Sequence, residues 1–547
     1  MVRMLTRWFG WGDPTKSFSL DDRPRLWPAL TARIGEPAGG RPPVALDDIA
    51  LPAPGVSESV LVRLAAAAGG ADALTTDHEA RVRHAFGKSY RDLVRLRRGT
   101  VGNPPVAVLA PGSHEAVAAV LAAASELGMP VVPFGGGTSV VGGVEGPPRP
   151  YLVVSLARLD RVLALDRESR TARIQAGILG PDLERQLEAQ GFTLGHYPQS
   201  FEFSTLGGWI AARSAGQQST RYGKIEDMVV ALRLATPAGE LATPCVPAAS
   251  DGPDLNRFLA GSEGTCGIIT EATLRVRPVP RVRRYQAALL RDFSSGARAV
   301  RTILQAGGKP ATLRLSDAAE TEGTFALRRE TPPGPGRLVA GLVKRMLGPL
   351  DGRCLLIMGF EHARASDLEH ERRLTEEAVA AAGGMGLGER VGREWYDHRF
   401  DLPYLRDVLL DRGVMVDTLE TATVWSNLEA LHGAVTGALH RALADWGTPA
   451  WVFCHLSHAY EVGASLYFTF LARQDAERPI EQWWAAKQAA TDAILANGGA
   501  LSHHHGVGRD HAAWYGRHAG HAGAALVRGA LRGVDPPGLL NPGIFFL

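Results

Sequence analysis

Cysteine is scarce in this chain: four occur in 547 residues, at Cys245, Cys266, Cys354 and Cys454, with no CxxC pair. That excludes a disulfide-stapled secreted scaffold, and the four are expected to be reduced thiols in a cytosol-like compartment. An excess of one charge is also missing. Lys and Arg total 59 against 57 Asp and Glu, a formal net charge of +2, which leaves no general electrostatic footprint for nucleic acid. Nowhere do about 18 uncharged apolar residues run together, so a spanning helix is not expected, although contact with a membrane surface stays open. The opening MVRMLTRWFGWGDPTK lacks the apolar run of about 7–15 residues and the small-residue cleavage site of a signal peptide. No internal repeat is visible.

What the chain does have is length and glycine. At 547 residues, 63 of them glycine, it exceeds one ordinary core and predicts two or three domains. Residues 1–100 mix helix-like segments with proline-rich breaks such as EPAGGRPPVALDD, as in an N-terminal extension packed on a main domain. Over 101–280 short β-branched runs alternate with helical stretches and glycine turns, predicting an α+β or α/β domain. Strand-like segments and helices continue over 281–500, read as strands covered on one side by helices. The segment 501–547, rich in glycine, proline and histidine, suits a chain returning to line a site.

The glycines cluster. In Pro133-Phe134-Gly135-Gly136-Gly137-Thr138-Ser139, after the strand-like Pro130-Val131-Val132, three successive glycines let backbone N–H groups converge on an anion without Cβ obstruction. The spacing fits neither GxGxxG nor GxxxxGK[ST], so Rossmann and P-loop readings fail. One such segment is as well explained by a plain turn. Three more follow, however: Ser204-Thr205-Leu206-Gly207-Gly208 with Arg213-Ser214-Ala215-Gly216, then Tyr222-Gly223-Lys224-Ile225-Glu226-Asp227, then Gly261-Ser262-Glu263-Gly264-Thr265-Cys266-Gly267-Ile268-Ile269-Thr270. Four turns of small and hydroxyl residues in one domain point to a dinucleotide-sized ligand.

In order and spacing these segments resemble the FAD-binding domain of the vanillyl-alcohol oxidase (PCMH-type) flavoproteins. Longer stretches, GFTLGHYPQSFEFSTLGGWIAARSAG, YGKIEDMVV, GSEGTCGIITEATLRVRP and ILANGGALSHHHGVG, resemble the alkyldihydroxyacetonephosphate synthase family, and Trp8-Phe9-Gly10-Trp11-Gly12 resembles the start of its catalytic region. The resemblance implies an α+β, two-domain FAD-binding fold with a second antiparallel-sheet-plus-helices substrate (cap) domain and an N-terminal helical extension. It implies FAD contacts at Pro133, Phe134, Gly135, Gly136, Gly137, Thr138 and Ser139; at Gln199, Ser200, Phe201, Glu202, Phe203, Ser204 and Thr205; at Ala212, Arg213, Ser214 and Ala215; and at Glu263, Gly264, Thr265, Cys266, Gly267, Ile268 and Ile269. It places Tyr467 on the catalytic tyrosine, His503, His504 and His505 on a catalytic histidine run, and Arg406 and Arg314 on arginines for activity or substrate binding.

Read by themselves, these residues say less. In Ser465-Leu466-Tyr467-Phe468-Thr469-Phe470 the alternation puts Tyr467 on a polar strand face. On a strand His503 and His505 would point together and His504 away. Arg314 alternates onto a polar face in Thr312-Leu313-Arg314-Leu315-Ser316, whereas Arg406, in DLPYLRDVLLDRG, reads as the solvated face of a helix. One departure from the synthases is Cys454-His455-Leu456-Ser457-His458-Ala459-Tyr460, with histidines where they carry an arginine and a glutamine. His455 with His458 and a later histidine could hold Zn²⁺ or Mn²⁺. Related 2-hydroxy-acid dehydrogenases carry a metal-binding histidine near here, but their C-terminal glutamate reads His504 in this chain, and no metal is expected.

The function the resemblance implies is exchange of the acyl chain of acyl-dihydroxyacetone phosphate for a long-chain alcohol, in ether lipid synthesis without net oxidation, by a homodimer. The alternative on the same scaffold is an FAD-linked 2-hydroxy-acid or alcohol dehydrogenase. A lipid substrate fits a cytoplasmic enzyme with peripheral contact at the inner face of the membrane. For that contact Arg337–Leu347, with apolar residues at helical spacing and basic residues alongside, is the candidate element; a core-packed helix is the plainer reading.

Overall fold

The β-branched runs that follow residue 105 become strands because each is short, apolar and closed by a turn residue. The computed structural model describes residues 6–329 and 352–546; Arg337–Leu347 lies outside the described residues. In the first domain β1 (Leu74–Thr75), β2 (Ala107–Leu109), β3 (Val131–Phe134) and β4 (Leu152–Ser155) form one sheet in the order β1-β2-β4-β3. Strand β4 runs parallel to both β2 and β3, and β1 is antiparallel to β2. The next strands, β5 (Val162–Asp166), β6 (Thr171–Gln175), β7 (Phe192–Thr193), β8 (Val229–Thr236), β9 (Gly239–Ala242), β10 (Ile268–Arg275) and β11 (Arg277–Pro278), give an antiparallel sheet β5-β6-β10-β8-β9 and the small pair β11-β7. One core joins these layers, with Val131, Leu152, Ile174, Leu206, Leu234 and Ile268 buried in it.

The second domain is one seven-stranded sheet. Its strands are β12 (Val282–Leu290), β13 (Thr312–Ser316), β14 (Cys354–His362), β15 (Met385–Gly388), β16 (Val414–Val424), β17 (Ala450–Leu456) and β18 (Gly463–Arg473), in the order β15-β12-β14-β13-β17-β18-β16. Every pairing is antiparallel. Leu466, Phe468 and Phe470 alternate onto the face covered by the helices Leu428–Asp445 and Pro479–Ala496, in a core with Leu431, Val435 and Trp483. Truncating a buried phenylalanine there would cost about 3–5 kcal/mol. The opposite face carries Ser465, Tyr467 and Thr469, so the alternation read from the sequence holds.

The ends of the chain do not form layers of their own. Leu64 and Ala68, on the helix Glu58–Ala68, are buried in the first domain's core, and β1 pairs with β2; the first domain therefore begins well before residue 100. Leu30 and Ile34 pack instead with Leu409, Val414, Trp451 and Leu471 of the second domain. At the other end Leu540 returns to bridge Val131 at the edge of the first sheet, which brings the C-terminal segment back onto the first domain. Among the described residues no helix is long and apolar enough to cross a membrane.

Candidate active site

The glycine segments pack into one wall. Side chains at Gly135 and Gly136 would collide with Thr205 and the Phe203 carbonyl, and Gly137 has φ +67°, so the triple glycine lets the Gln199–Thr205 segment lie directly against it. The backbone N–H groups of Gly136, Gly137, Thr138 and Ser139 donate to no acceptor among the described residues. Consecutive N–H groups left free at a strand-to-loop turn fit a pyrophosphate, and on this ground the wall fits FAD. The other two segments join it. Glu263 N donates to Ala211 O at 3.0 Å, and a Cβ on Gly264 would stand 2.8 Å from the Pro133 ring. Thr205 Oγ1 caps the helix Leu206–Ala211 by accepting from Gly208 N, and Ser214 Oγ lies 3.2 Å from His196 Nε2. Phe201, Cys266, Ile268 and Ile269 turn their side chains into the core, so only their backbone is available to a cofactor. Gln199 donates from Nε2 to the Arg399 carbonyl of the second domain.

Facing this wall, the second sheet presents a row set by register. Tyr467 on β18 pairs with Glu420 on β16 and with His455 on β17. The His455 ring stacks on Tyr467 at 4.8 Å and 17°. Burial pushes the Tyr467 hydroxyl up to about 12, with Asp417 and Glu420 adding and Arg406 opposing. At neutral pH the phenol therefore keeps its proton.

His503, His504 and His505 lie in a loop, not on a strand, and all three gather at the row; the expected strand alternation does not apply. The cause is Glu420, which sequence reasoning missed. Its carboxylate accepts from the backbone N–H of His503 at 2.6 Å, of His504 at 3.1 Å and of His505 at 2.9 Å, and from Ser502 Oγ at 2.7 Å. Such a cradle curls the chain and turns successive side chains the same way. Tyr467 then stands 5.9 Å from the His504 ring and 5.4 Å from that of His505. Burial holds His503 down to about 3, with Lys224 adding, and lowers His504 and His505. The run is a set of imidazoles that are neutral at working pH. Burial works against the charge of Glu420, yet its carboxyl is held well below the usual range, and the Ser502 hydroxyl and three backbone N–H groups donate to the ionised form. Lys224 Nζ donates to the His503 carbonyl, and Glu263 accepts from Val507 and Gly508 N–H. The cofactor domain thus grips the histidine loop from its own side.

The two arginines differ. Arg406, on the helix Leu402–Leu410, is not on a solvated face. Its Nη1 donates to the Lys88 carbonyl at 2.8 Å, while Nε and Nη2 are buried with no acceptor. Desolvation lowers its pKa, and the charges of Asp407, Asp417 and Tyr467 act back on it. Asp407 beside it accepts from Trp11 N and Arg7 Nη1, which seats the Trp8-Phe9-Gly10-Trp11-Gly12 segment on this helix. Periodicity misled because the N-terminal segment, far away in sequence, covers the helix. Arg314, by contrast, is neutralised. Its Nη2 lies 2.7 Å from Glu320 and 3.0 Å from His455 Nδ1, so it reaches Tyr467 only through the stacked His455 ring. The four cysteines are free thiols, and only Cys245 is exposed.

Comparison with known proteins agrees with this arrangement. The FAD binding domain family matches residues 105–243, and the family of FAD linked oxidases, C-terminal domain, matches residues 279–544. The chain is 38% identical over 481 residues to alkyldihydroxyacetonephosphate synthase of Dictyostelium discoideum, covering 86% of this chain and 78% of that protein. It is 31% identical over 564 residues to the synthase of Caenorhabditis elegans, covering 97% and 94%. A solved structure of alkyldihydroxyacetonephosphate synthase superposes with a TM-score of 0.84 at 33% identity, over 98% of this chain and 97% of that one. The matched FAD binding domain and the free N–H cradle agree on the cofactor, and the chain belongs to the alkyldihydroxyacetonephosphate synthase family of FAD-dependent enzymes.

Proposed function

We propose that this enzyme exchanges the acyl chain of an acyl-dihydroxyacetone phosphate for a long-chain alcohol, releasing a fatty acid and forming an alkyl ether. The observation that carries the reading is the pairing of Arg406, a buried guanidinium with two uncommitted donor nitrogens, with neutral imidazoles around Tyr467. A buried cation with free fork donors is matched to phosphate. FAD, when bound against the glycine wall, supplies the electron-accepting ring next to which the substrate carbon reacts. The chain itself must then remove a proton beside the ketone, let the carboxylate leave, and deprotonate the incoming alcohol. Those transfers need bases that are neutral at working pH, and the histidine run provides them; the protonated Tyr467 hydroxyl donates to the oxygen that gains charge. Arg314 with Glu320 orients His455 and, through it, the Tyr467 ring. Homodimerisation and contact with a membrane face, through which the lipid would enter, belong to the same reading.

Incubating the purified yellow protein with palmitoyl-dihydroxyacetone phosphate and hexadecanol under argon, with mass spectrometry of the ether, tests it. Ether is expected without any external electron acceptor. Flavin bleaching by 2-hydroxy acids with no ether formed would assign the scaffold to dehydrogenation. Tyr467→Phe is expected to abolish exchange with FAD content unchanged, and retained turnover would remove the tyrosine from the mechanism. Arg406→Met should raise KM for the phosphorylated substrate well beyond its effect on kcat; a change in kcat alone would contradict phosphate binding there.

A further inference from the structure

The exchange chemistry gives His458 no task. His458, just past β17, is buried and meets the histidine loop: its ring centroid lies 5.3 Å from that of His503 and 5.2 Å from that of His504. One ring nitrogen from each of His458, His503 and His504 falls within 4.8 Å of the others. His503 Nδ1 and His504 Nδ1 are 3.1 Å apart. Two imidazoles bound to one cation at about 2.0–2.1 Å bring their nitrogens roughly 3.0–3.4 Å apart, so this separation needs little adjustment. The set differs from the one the sequence pointed to, because His455 is taken up by Glu320 and Arg314.

The atoms behind the rings are arranged as metal ligands require. His458 Nδ1 lies 2.8 Å from Ser219 Oγ, and His503 Nε2 lies 2.7 Å from Tyr460 Oη. If each of these nitrogens donates, His458 Nε2 and His503 Nδ1 present lone pairs toward the shared space. An outer partner that fixes the tautomer in this way is the usual companion of a ligating histidine. Glu420 Oε2 stands 3.7 Å from His504 Nδ1 and supplies negative charge beside the site; Lys224, held by the His503 carbonyl and by Glu226 at 3.2 Å, opposes it. Three nitrogen ligands from neutral imidazoles select a first-row divalent cation such as Zn²⁺ or Co²⁺ over Mg²⁺ or Ca²⁺, and three protein ligands leave a coordination position for a substrate oxygen or water.

We propose that His458, His503 and His504 form a binding site for one divalent transition-metal ion, with Ser219 and Tyr460 as the residues that orient two of the ligands. The binding claim rests on the three rings and their partners; with the ion bound, His503 and His504 no longer serve as bases and His505 is the histidine of the run left to do so. Co²⁺ titrated into chelator-treated, FAD-loaded enzyme reads it directly through ligand-field absorption to the red of the flavin bands. One equivalent per chain, displaced by Zn²⁺, is expected. His458→Gln should abolish the bands, and Ser219→Ala, which keeps every ligand, should weaken Co²⁺ by about 10–100-fold. The flavin spectrum of each variant reports that the fold is kept. No stoichiometric Co²⁺ in the unaltered protein would overturn the site, as would binding that neither substitution changes.

Discussion

Glu420 acts on the site without being one of the groups expected to touch substrate. One carboxylate fixes three successive backbone N–H groups and a hydroxyl, and a glutamine in its place offers a single acceptor oxygen and an unwanted donor. Glu420→Gln should therefore destabilise the protein by roughly 2–4 kcal/mol. With the histidines displaced by even about 1 Å, activity should fall on the order of 10²-fold. Thermal melting and turnover of the FAD-loaded variant check both, and normal turnover with a lowered melting temperature would show that the cradle is structural alone. Nothing local in the sequence marks Glu420, which sits in an ordinary alternating strand; its partners are some 80 positions later. Tyr467 was legible because alternation is a local property. Arg406 was not, because its guanidinium is held by the carbonyl of Lys88, far away in sequence.

At the scale of elements, the site is a strand row meeting a loop, and the loop's path depends on Gly506. That residue has φ +89°, and a Cβ there would stand 2.8 Å from the Glu263 carboxylate, which is pinned by Val507 and Gly508 N–H. Gly506→Ala meets both the left-handed penalty of about 1–2 kcal/mol and a neighbour that cannot move without releasing two hydrogen bonds. The variant should melt lower and lose exchange activity, whereas alanine at Gly516, inside a helix where nothing lies within 4 Å and φ is not positive, should lower neither; equal losses at the two positions would refute the argument. The antiparallel cap sheet and its helices were readable from periods of 2 and 3.6. The histidine loop was not, since three identical residues carry no period, and a strand was the wrong template for a chain curled on a carboxylate.

Across the whole molecule, two sets of buried groups pull stability in opposite directions with pH. Burial holds His196, His503 and His511 down to about 3, against about 6.5 in an unfolded chain. The folded state then carries fewer protons, so the stability these histidines contribute is complete above about pH 6.5 and is lost as pH falls toward 3. Burial also holds Glu184, Glu263 and Asp510 up to about 7, against unfolded values near 4. Their contribution is complete at low pH and is lost as pH rises through about 7. Between about pH 4.5 and 6.5 the two sets nearly cancel, and below about 4.5 the histidines go on losing while these carboxyls have little left to gain. Glu320, kept ionised down to about 2 by Arg314 and His455 in spite of its burial, adds to the loss on the acid side. The melting temperature of the FAD-loaded protein should vary little from about pH 5 to 6.5 and drop steeply below about 4.5. A melting temperature that holds from pH 5 to 3.5 would mean that the imidazoles accept protons without leaving their places, and the neutral histidine run on which the proposed proton transfers depend would have to be abandoned.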